Sequence, residues 1–341
     1  MIENVADLRP LVETGDAQAL SVSVDVRIGR DMLTATYSAL RIRRGALLIW
    51  NEAALPVVGG KTSTAQFMDL QPQKFPGLLD RPIHPTASLS RAIFIGGNGN
   101  YFHFLANYFA MFAFLPQAIH ENRCSVAIRN GIPPPVITTL HALLPSISDG
   151  CPADMSTLEP GVYALDDVIF PTIPATEMAC AAVNRWLIPF VLKKHRLTDP
   201  QRERGPLKLF IRREGANTGR NLTNQDEVEN WFVARGYSVV NPGALAFDEQ
   251  VILFTRASHI AGVEGAALAN LLFAINARHI LMIASPALRG ERSMARLVRR
   301  YPVMFHTLYG NPAPHRTAGR NADYHLPLAA LAQVDPAVLG L

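Results

Sequence analysis

A glycine-rich turn between an apolar strand and an apolar helix is the part of this sequence best suited to hold an anion. The turn reads Gly-Val-Glu-Gly-Ala over residues 262–266. Backbone N–H groups at a helix start carry positive partial charge and can bind a phosphate. Gly265 and Ala266 have little side chain, so a bulky anion can approach the backbone closely. The turn therefore predicts a nucleotide or nucleotide-sugar site, and close helix–strand packing is the alternative explanation.

Two arginines at the end of a strand supply matching charge. Arg212 and Arg213 close the apolar run LKLFIRR. Ligands of open α/β sheets bind at the carboxyl ends of the strands, and guanidinium groups are bidentate donors suited to a pyrophosphate. The pair therefore predicts a pyrophosphate clamp facing the glycine turn. The alternative is a pair of surface arginines, one of them turned away by strand alternation.

A histidine far upstream is the candidate general base. His103 lies on an apolar helix, three residues after Asn100. Histidine titrates near neutral pH and can take a proton from an acceptor hydroxyl. The alternatives are a buried histidine bonded to the backbone and, for Asn100, a helix cap. The nearby run GGNGNYF, residues 96–102, has two glycines in the spacing of the dinucleotide-binding pattern G-x-G-x-x-G but lacks the third. A nicotinamide enzyme is therefore the less favoured interpretation.

The elements that position these residues form an α/β pattern. After residue 206, short strands and helices alternate, as in a parallel doubly wound sheet. Residues 1–200 are predicted to form a first domain that begins with a β-rich segment, and the hydrophilic stretch 198–206 marks its end. Residues 201–288 are predicted to form a Rossmann-like domain, and residues 289–341 to form helices that pack back on the first domain.

Composition narrows the class of protein. The 341 residues are 49% hydrophobic and 18% charged with a net charge of +4, which indicates a globular chain and gives no support to nucleic-acid binding. Cys124, Cys151 and Cys180 are widely spaced, and the first twenty residues lack the apolar core of a signal peptide. We therefore predict a cytoplasmic protein. No His, Asp and Glu cluster with metal-ligand spacing appears, so neither a metal nor a cofactor is predicted.

Several segments in this order resemble glycosyltransferase family 61. LFIRREGANTGRNLTNQDEV and AFDEQVILFTRASHIAGVEGAALANLLFA are similar to the donor half of the family, and GNYFHFLANYF is similar to its Asn-Tyr-Tyr/Phe-His motif. The resemblance covers roughly residues 90–285. It implies a GT-B-like architecture, with two Rossmann-like domains facing across a cleft. It also implies an inverting, metal-independent transfer from a nucleotide sugar.

The resemblance extends the set of site residues. It places Asn100 and Tyr101 with His103 on the acceptor side. On the donor side it adds residues of the turn and of the helix before it: Gln250, Glu264, Gly265, Ala266 and Asn270. The family has histidine where this chain has Glu264, glycine where it has Ala267 and threonine where it has Ala269. Glu264 would therefore either bind ribose or sugar hydroxyls or mark a lost donor site.

A row of arginines suggests a contact with a membrane. Arg292, Arg296, Arg299 and Arg300 share one face at helical spacing and could rest on an anionic surface, although a solvated face is the usual explanation. The resemblance to glycosyltransferase family 61 implies a bacterial capsular or exopolysaccharide-type glycosyltransferase that takes a nucleotide sugar and a glycan or lipid-linked acceptor. Peripheral contact with the inner membrane face and a homodimer remain open. The alternative is a non-catalytic glycan- or nucleotide-binding relative.

Overall fold

The structure is a computed structural model, and it divides the chain into two compact units, Met1–Trp186 and Leu187–Leu341. The residues it describes are 14–28, 31–50, 53–59, 61–62, 80, 82–97, 99–114, 125–147, 154–171, 179–214, 219–313 and 321–341. Cys124 and Cys151 lie outside these ranges, and Cys180 is buried as a reduced thiol.

The first unit contains a mixed sheet. Antiparallel pairing joins its first four strands, and β2 also pairs antiparallel with β8. The remaining strands are parallel in the order β8-β5-β6-β7. The strands are β1 (Ala17–Ile28), β2 (Asp31–Trp50), β3 (Ala53–Val58), β4 (Lys61–Thr62), β5 (Ala87–Gly96), β6 (Ser125–Arg129), β7 (Met155–Leu158) and β8 (Gly161–Pro171).

Helical segments connect the parallel strands of the first unit. After β5 the chain forms α1 (Tyr101–His103), continued by a π-helical stretch (Phe104–Tyr108) and a 3-10 helix (Phe109–Phe114). After β6 it forms α2 (Pro134–Ile147). After β8 it forms α3 (Ala179–Ala182), which continues as a π-helical stretch, Val183–Leu187. Because β8 returns to the other side of β5, the strand order reverses at the carboxyl end of β5, which is the kind of point where open α/β sheets bind ligands.

The second unit is built on a parallel five-stranded sheet. Its strands are β9 (Leu207–Ile211), β10 (Ser238–Val240), β11 (Ala257–Val263), β12 (His279–Ala284) and β13 (Met304–Tyr309), arranged in the order β10-β9-β11-β12-β13. This is the 2-1-3-4-5 order of a doubly wound sheet, whose switch point lies between β9 and β11. The inner strands are buried over nearly their whole length, as expected for a parallel sheet covered on both faces.

Short helices cover this sheet. They are α4 (Ile188–Lys194), α5 (Pro200–Arg204), α6 (Gln225–Val233), α7 (Phe247–Arg256), α8 (Ser293–Leu297), α9 (Leu328–Ala332) and α10 (Pro336–Leu339), with 3-10 helices at Pro242–Ala244, Ala266–Phe273 and Pro286–Leu288. A short ribbon, β14 (Asn311–Pro312) with β15 (Tyr324–His325), completes the unit.

Two predicted boundaries differ from the structure. Residues 187–200 belong with the second unit, because α4 and α5 both pack against α7. Residues 289–341 belong to the second unit and contain strands as well as short helices. They supply the edge strand β13, and Leu331 and Val338 are buried in the core of the second unit. The alternating run MFHTLY favours a strand at residues 304–309. Leu331 and Val338 are buried because the apolar face of a sheet must pack against another layer.

The predicted α/β class is confirmed as a mixed α/β fold with parallel sheets. Within the described ranges, no helix is long and apolar enough to cross a membrane.

Candidate functional site

Arg213 and Glu264 meet at the switch point of the second sheet. Arg213 follows β9 and Glu264 follows β11, the two parallel strands on either side of the order reversal. Nη1 of Arg213 donates to the main-chain carbonyl of Glu264 at 2.6 Å, and Nη2 donates to the carbonyl of Gly219 at 3.2 Å. Burial lowers the pKa of the Arg213 guanidinium, while the Glu264 carboxylate raises it. Arg213 therefore fixes the backbone of the turn.

The two glycines of the turn have different reasons to be glycine. A Cβ on Gly265 would lie 3.1 Å from Nη1 of Arg213, so the missing side chain lets the guanidinium approach. A Cβ on Gly262 would lie 2.8 Å from Cβ of Ile211 and 3.2 Å from a methyl of Leu268. Close packing, the alternative explanation for the turn, thus accounts for Gly262, while Gly265 belongs to the charged cluster.

Glu264 is held between two arginines. Its Oε2 lies 3.6 Å from Nη1 of Arg213 and 3.3 Å from Nη1 of Arg220. The Glu264 and Arg213 side chains are 13% and 10% exposed, whereas that of Arg220 is 24% exposed. Asp323 also acts electrostatically on Arg213, so the two carboxylates balance the two guanidiniums. Arg220 is the more exposed of the two arginines, and an anion could reach the cluster at its side.

Arg220 sits in an unusual backbone conformation. Its φ is +60°, in the left-handed region that non-glycine residues rarely adopt. The backbone N–H of Arg220 donates to the carbonyl of Asn321 at 3.0 Å, and an added Cβ on Gly219 would meet that carbonyl at 2.2 Å. The pairing with residue 321 therefore holds Arg220 in place. Arg220 was not among the predicted site residues, although it lies in the segment LFIRREGANTGRNLTNQDEV that carries the family resemblance.

Arg212 points to a different group of side chains. Its Nε lies 3.1 Å from Oε1 of Glu214 and 3.4 Å from Oε1 of Glu229 on α6. Burial raises the pKa of Glu229, and the charge of Arg212 lowers it. The structure thus brings Arg213, and not Arg212, to Glu264, as alternation along a strand requires.

The helix after the turn is a 3-10 helix, Ala266–Phe273, and not an α-helix. Asn270 on this helix is fully buried and donates from Nδ2 to Oε1 of Gln250 at 2.9 Å and to the carbonyl of Ala267 at 3.1 Å. Gln250 on α7 is also buried and donates to the carbonyl of Leu245. In this geometry the two amides tie α7 to the start of the 3-10 helix.

A distant segment closes the cluster. Tyr324 is buried, and its hydroxyl donates to the carbonyl of Ile283 at 3.2 Å. Burial raises the pKa of this phenol, and the negative charge of Glu264 adds to the rise. The Asp323 carboxylate accepts the N–H of Asn221 at 2.8 Å. Sequence reasoning missed Asp323 and Tyr324, because no local pattern marks them.

The predicted acceptor-side residues lie at the start of α1. Oδ1 of Asn100 accepts the N–H groups of Phe102 at 3.0 Å and His103 at 3.4 Å, so Asn100 is the helix cap. The His103 side chain is exposed and that of Tyr101 is half-buried. The alternative of a buried histidine is therefore wrong for His103.

A buried arginine supports the turn before α1. Arg129 is 3% exposed, ends β6 and donates from Nη2 to the carbonyl of Gly97. This bond crosses from β6 to the end of β5, where α1 begins. No sequence pattern marked Arg129 as part of the site.

The remaining predicted features are scattered. Among the residues that the structure describes, no group of three His, Cys, Asp or Glu side chains could hold a metal ion. Arg292, Arg296, Arg299 and Arg300 are all exposed, but α8 ends at Leu297, so the single helical face does not continue to Arg299 and Arg300.

Comparisons with known proteins bear on this site. The profile of the family described as Glycosyltransferase 61 matches residues 101–281, a range that contains His103 and the Arg213–Glu264 pair. No curated protein matches the chain.

Solved structures give a remote likeness only. The heptosyltransferase TibC, an iron-containing dodecamer, in complex with ADP-D-beta-D-heptose is 12% identical, with 88% of this chain and 79% of that chain covered and a TM-score of 0.34. TibC from enterotoxigenic E. coli H10407 is also 12% identical, with 88% and 83% covered and a TM-score of 0.34. At these values neither likeness carries an argument about this chain.

Proposed function

The chain belongs to glycosyltransferase family 61, and from that premise we propose that it transfers a sugar from a nucleotide-sugar donor to a glycan or lipid-linked acceptor with inversion at the anomeric carbon. The observation that carries this proposal is the cluster of Arg213, Arg220 and Glu264 beside Gly265, at the switch point of a doubly wound sheet. Such switch points are where α/β sheets bind nucleotides. A GT-B-like arrangement, with two Rossmann-like domains facing across a cleft, is part of the proposal.

The donor diphosphate would bind at the Gly265 turn. Arg220 is the more exposed cation of the cluster, so it would contact a phosphate directly. Gly265 and Ala266 would offer N–H groups from the start of the 3-10 helix. Arg213 would hold the turn through its bond to the Glu264 carbonyl and add positive charge behind it. Gln250 and Asn270 are buried amides joined by a hydrogen bond, and they would hold the turn in position.

The reaction needs a base and a stabilised leaving group. The acceptor hydroxyl would give its proton to the exposed His103 imidazole as its oxygen bonds to the anomeric carbon. The bond from that carbon to the diphosphate oxygen breaks, and the electron pair leaves with the nucleoside diphosphate. Arg220, Arg213 and the helix start would stabilise the charge on the leaving group, which makes the transfer metal-independent in this proposal. Asn100 and Tyr101 would border the acceptor.

Binding and turnover measured separately test the proposal. Thermal shift and calorimetry with UDP, GDP and their sugars would identify the donor, since a ligand that binds only the folded state raises the melting temperature. NAD is the control for the nicotinamide alternative. Sugar transfer or donor hydrolysis would then be followed with the nucleotide that binds. If no nucleoside diphosphate stabilises the protein, the proposal of a nucleotide-sugar donor is wrong.

One observation favours a second candidate function. Glu264 already occupies both arginines of the cluster, and a carboxylate at that place competes with a phosphate. A non-catalytic nucleotide- or glycan-binding relative would bind a ligand without turnover. Binding with no detectable hydrolysis or transfer for any nucleotide sugar would select this candidate.

The cellular setting is also a proposal. We propose that the protein acts in the cytoplasm, in capsular or exopolysaccharide synthesis, where lipid-linked acceptors would bring it to the inner membrane face. The exposed arginines near α8 would support that contact. A homodimer is compatible with this setting, and size-exclusion chromatography with light scattering would measure the oligomeric state.

A further inference from the structure

Three histidines form a stacked row across the second sheet. His259, His279 and His306 lie on the adjacent parallel strands β11, β12 and β13. The ring centroids of His259 and His279 are 5.5 Å apart with planes 11° apart, and those of His279 and His306 are 5.9 Å apart with planes 22° apart. All three side chains are half-buried. We call these three residues the histidine row.

The histidine row borders the core that the 321–341 segment covers. Side chains two residues apart on a strand share a face, so His259 lies on the face of Ala261 and Val263, and His279 on that of Leu281 and Ile283. These four apolar residues belong to one buried cluster. The 321–341 segment contributes to the same cluster through Tyr324, Leu326, Leu331, Val338 and Leu339.

The end of this segment rests directly on the row. A Cβ on Gly340 would lie 2.9–3.0 Å from three atoms of the His259 ring, so the glycine backbone sits against the imidazole. Beside it, Nζ of Lys208 donates to the Gly340 carbonyl at 2.8 Å. Lys208 is the β9 neighbour of His259 in the sheet register. The segment thus contacts the row closely at His259 and is held beside it by the hydrogen bond from Lys208.

The charged groups around the row are mostly cationic. Lys208 faces His259, Arg278 precedes β12 and acts on both His259 and His279, and Asp335 is the acid that faces His279 from the segment. Oγ of Ser258 lies 3.1 Å from Nδ1 of His259. Among the described residues, the buried Nδ1 of His279 and Nε2 of His306 have no hydrogen-bond partner. An N–H group at either nitrogen would therefore have no acceptor.

We propose that the histidine row is a pH-sensitive seat for the 321–341 segment, which packs on the neutral rings and is loosened when mild acid protonates His259 and His279. Protonation of both rings would place like charges 5.5 Å apart next to Lys208, and their mutual repulsion is weakly screened in a half-buried site. The segment carries Asp323 and Tyr324 to the Arg213–Glu264 cluster, so its loosening disturbs that cluster too.

The direction of the effect follows from linkage. Burial lowers the pKa of His259 and of His279, and the neighbouring cations lower it further, while a backbone hydrogen bond at Ala337 opposes this at His259 and Asp335 opposes it at His279. A histidine with a lowered pKa in the folded state binds fewer protons than the unfolded chain does. The packing free energy is therefore fully present above about pH 6.5, the ordinary histidine pKa, and falls as the pH drops below it.

Hydrogen exchange of the intact chain without ligand tests the proposal. Amide protection of peptides covering 326–341, corrected for intrinsic exchange, should fall several-fold from about pH 7.5 to pH 5.5, because the opened segment leaves the rings free to bind protons. Peptides from α7, outside this cluster, serve as the internal reference.

Variants assign the effect to the row. His279→Phe keeps a stacking ring without a titrating nitrogen and should flatten the pH dependence. His141→Phe, an exposed position on α2, is the matched control and should leave it unchanged. Equal protection at both pH values in the wild type would overturn the proposal, as would an equal loss in α7. Since no nucleotide is present, this result is independent of the proposed function.

Discussion

Arg213 binds the backbone of Glu264 more closely than it binds the Glu264 carboxylate. Nη1 is 2.6 Å from the main-chain carbonyl oxygen and 3.6 Å from Oε2. A charged donor on a carbonyl fixes the path of the chain, whereas the carboxylate is shared with Arg220 at 3.3 Å. The two arginines of the cluster therefore have separable roles, Arg213 in the shape of the turn and Arg220 in the charge presented to a ligand.

The shape of the turn depends on the absence of a side chain at Gly265. In Gly265→Ala the new Cβ would lie 3.1 Å from Nη1 of Arg213, so the guanidinium or the turn must shift by a few tenths of an ångström. We expect nucleoside-diphosphate affinity to fall by about tenfold, the equivalent of one charge-assisted hydrogen bond of about 1.5 kcal/mol, with little change in melting temperature. Calorimetry measures the affinity. Gly161→Ala, where the added Cβ makes only an ordinary contact at 3.7 Å, is the control.

The charge presented to the ligand depends on Arg220. We expect Arg220→Ala to weaken UDP or GDP binding by tenfold or more, since a charge-assisted hydrogen bond is worth about 1.5–3 kcal/mol. Arg212→Ala should have a smaller effect, because Arg212 is paired with Glu214 and Glu229. Both variants are compared with the wild type by calorimetry at the same ionic strength. Equal losses of affinity in Arg220→Ala and Arg212→Ala would indicate that Arg212 also contacts the diphosphate, as the clamp of Arg212 and Arg213 predicted from the sequence requires.

Glu264 gives a prediction whose sign decides its role. If its carboxylate competes with phosphate for Arg213 and Arg220, Glu264→Gln should tighten binding of a nucleoside diphosphate by several-fold. If it binds ribose or sugar hydroxyls instead, the same change should weaken binding of the nucleotide sugar. We expect the first result. Glu229→Gln, which alters the partner of Arg212 alone, is the control for a change of one charge in the unit.

Metal independence is tested by chelation. In the proposed reaction the charge on the leaving diphosphate is stabilised by Arg220, Arg213 and the helix start. Turnover should therefore persist in EDTA at near its initial rate. Complete loss of activity that manganese restores would contradict the prediction, and thermal shift in the same buffers would show whether the loss comes from unfolding.

The sequence was sufficient for the parts of the fold that local pattern determines. Alternating strands and helices after residue 206 predicted the parallel sheet of the second unit, and the family resemblance is confirmed. The rule that strand ends meet at one edge predicted that a strand-end arginine would face the Gly265 turn. This rule does not show whether Arg212 or Arg213 faces the turn. Successive side chains of a strand point to opposite faces, and the sequence alone does not show which face each one takes.

The parts that were missed depend on contacts between distant segments. Asn221 and Asp323, which are 102 residues apart, are joined by a hydrogen bond that periodicity cannot show. Two neighbouring bonds join the same segments: the Arg220 N–H donates to the Asn321 carbonyl, which holds Arg220 in its left-handed conformation, and the Tyr324 N–H donates to the Asn221 carbonyl. Residues 304–309 were predicted outside the second sheet, because a local pattern that favours a strand does not show that the strand pairs with β12.

His103 as the general base is the prediction on which the proposed reaction depends. Its side chain is exposed at the start of α1, and Asn100 caps that helix through the N–H groups of Phe102 and His103. Removing a positioned base typically costs about 10²–10⁴ in rate with modest loss of binding. His103→Ala should therefore reduce kcat by that range while nucleoside-diphosphate affinity and melting temperature stay close to wild type.

Two controls separate catalysis from structure at this position. Asn100→Ala removes the cap and should cost about 1 kcal/mol of stability, so a matching drop in melting temperature in His103→Ala would indicate a structural role. His141→Ala removes another exposed histidine of the first unit and should leave kcat unchanged. Near-normal turnover in His103→Ala would assign the base to another residue.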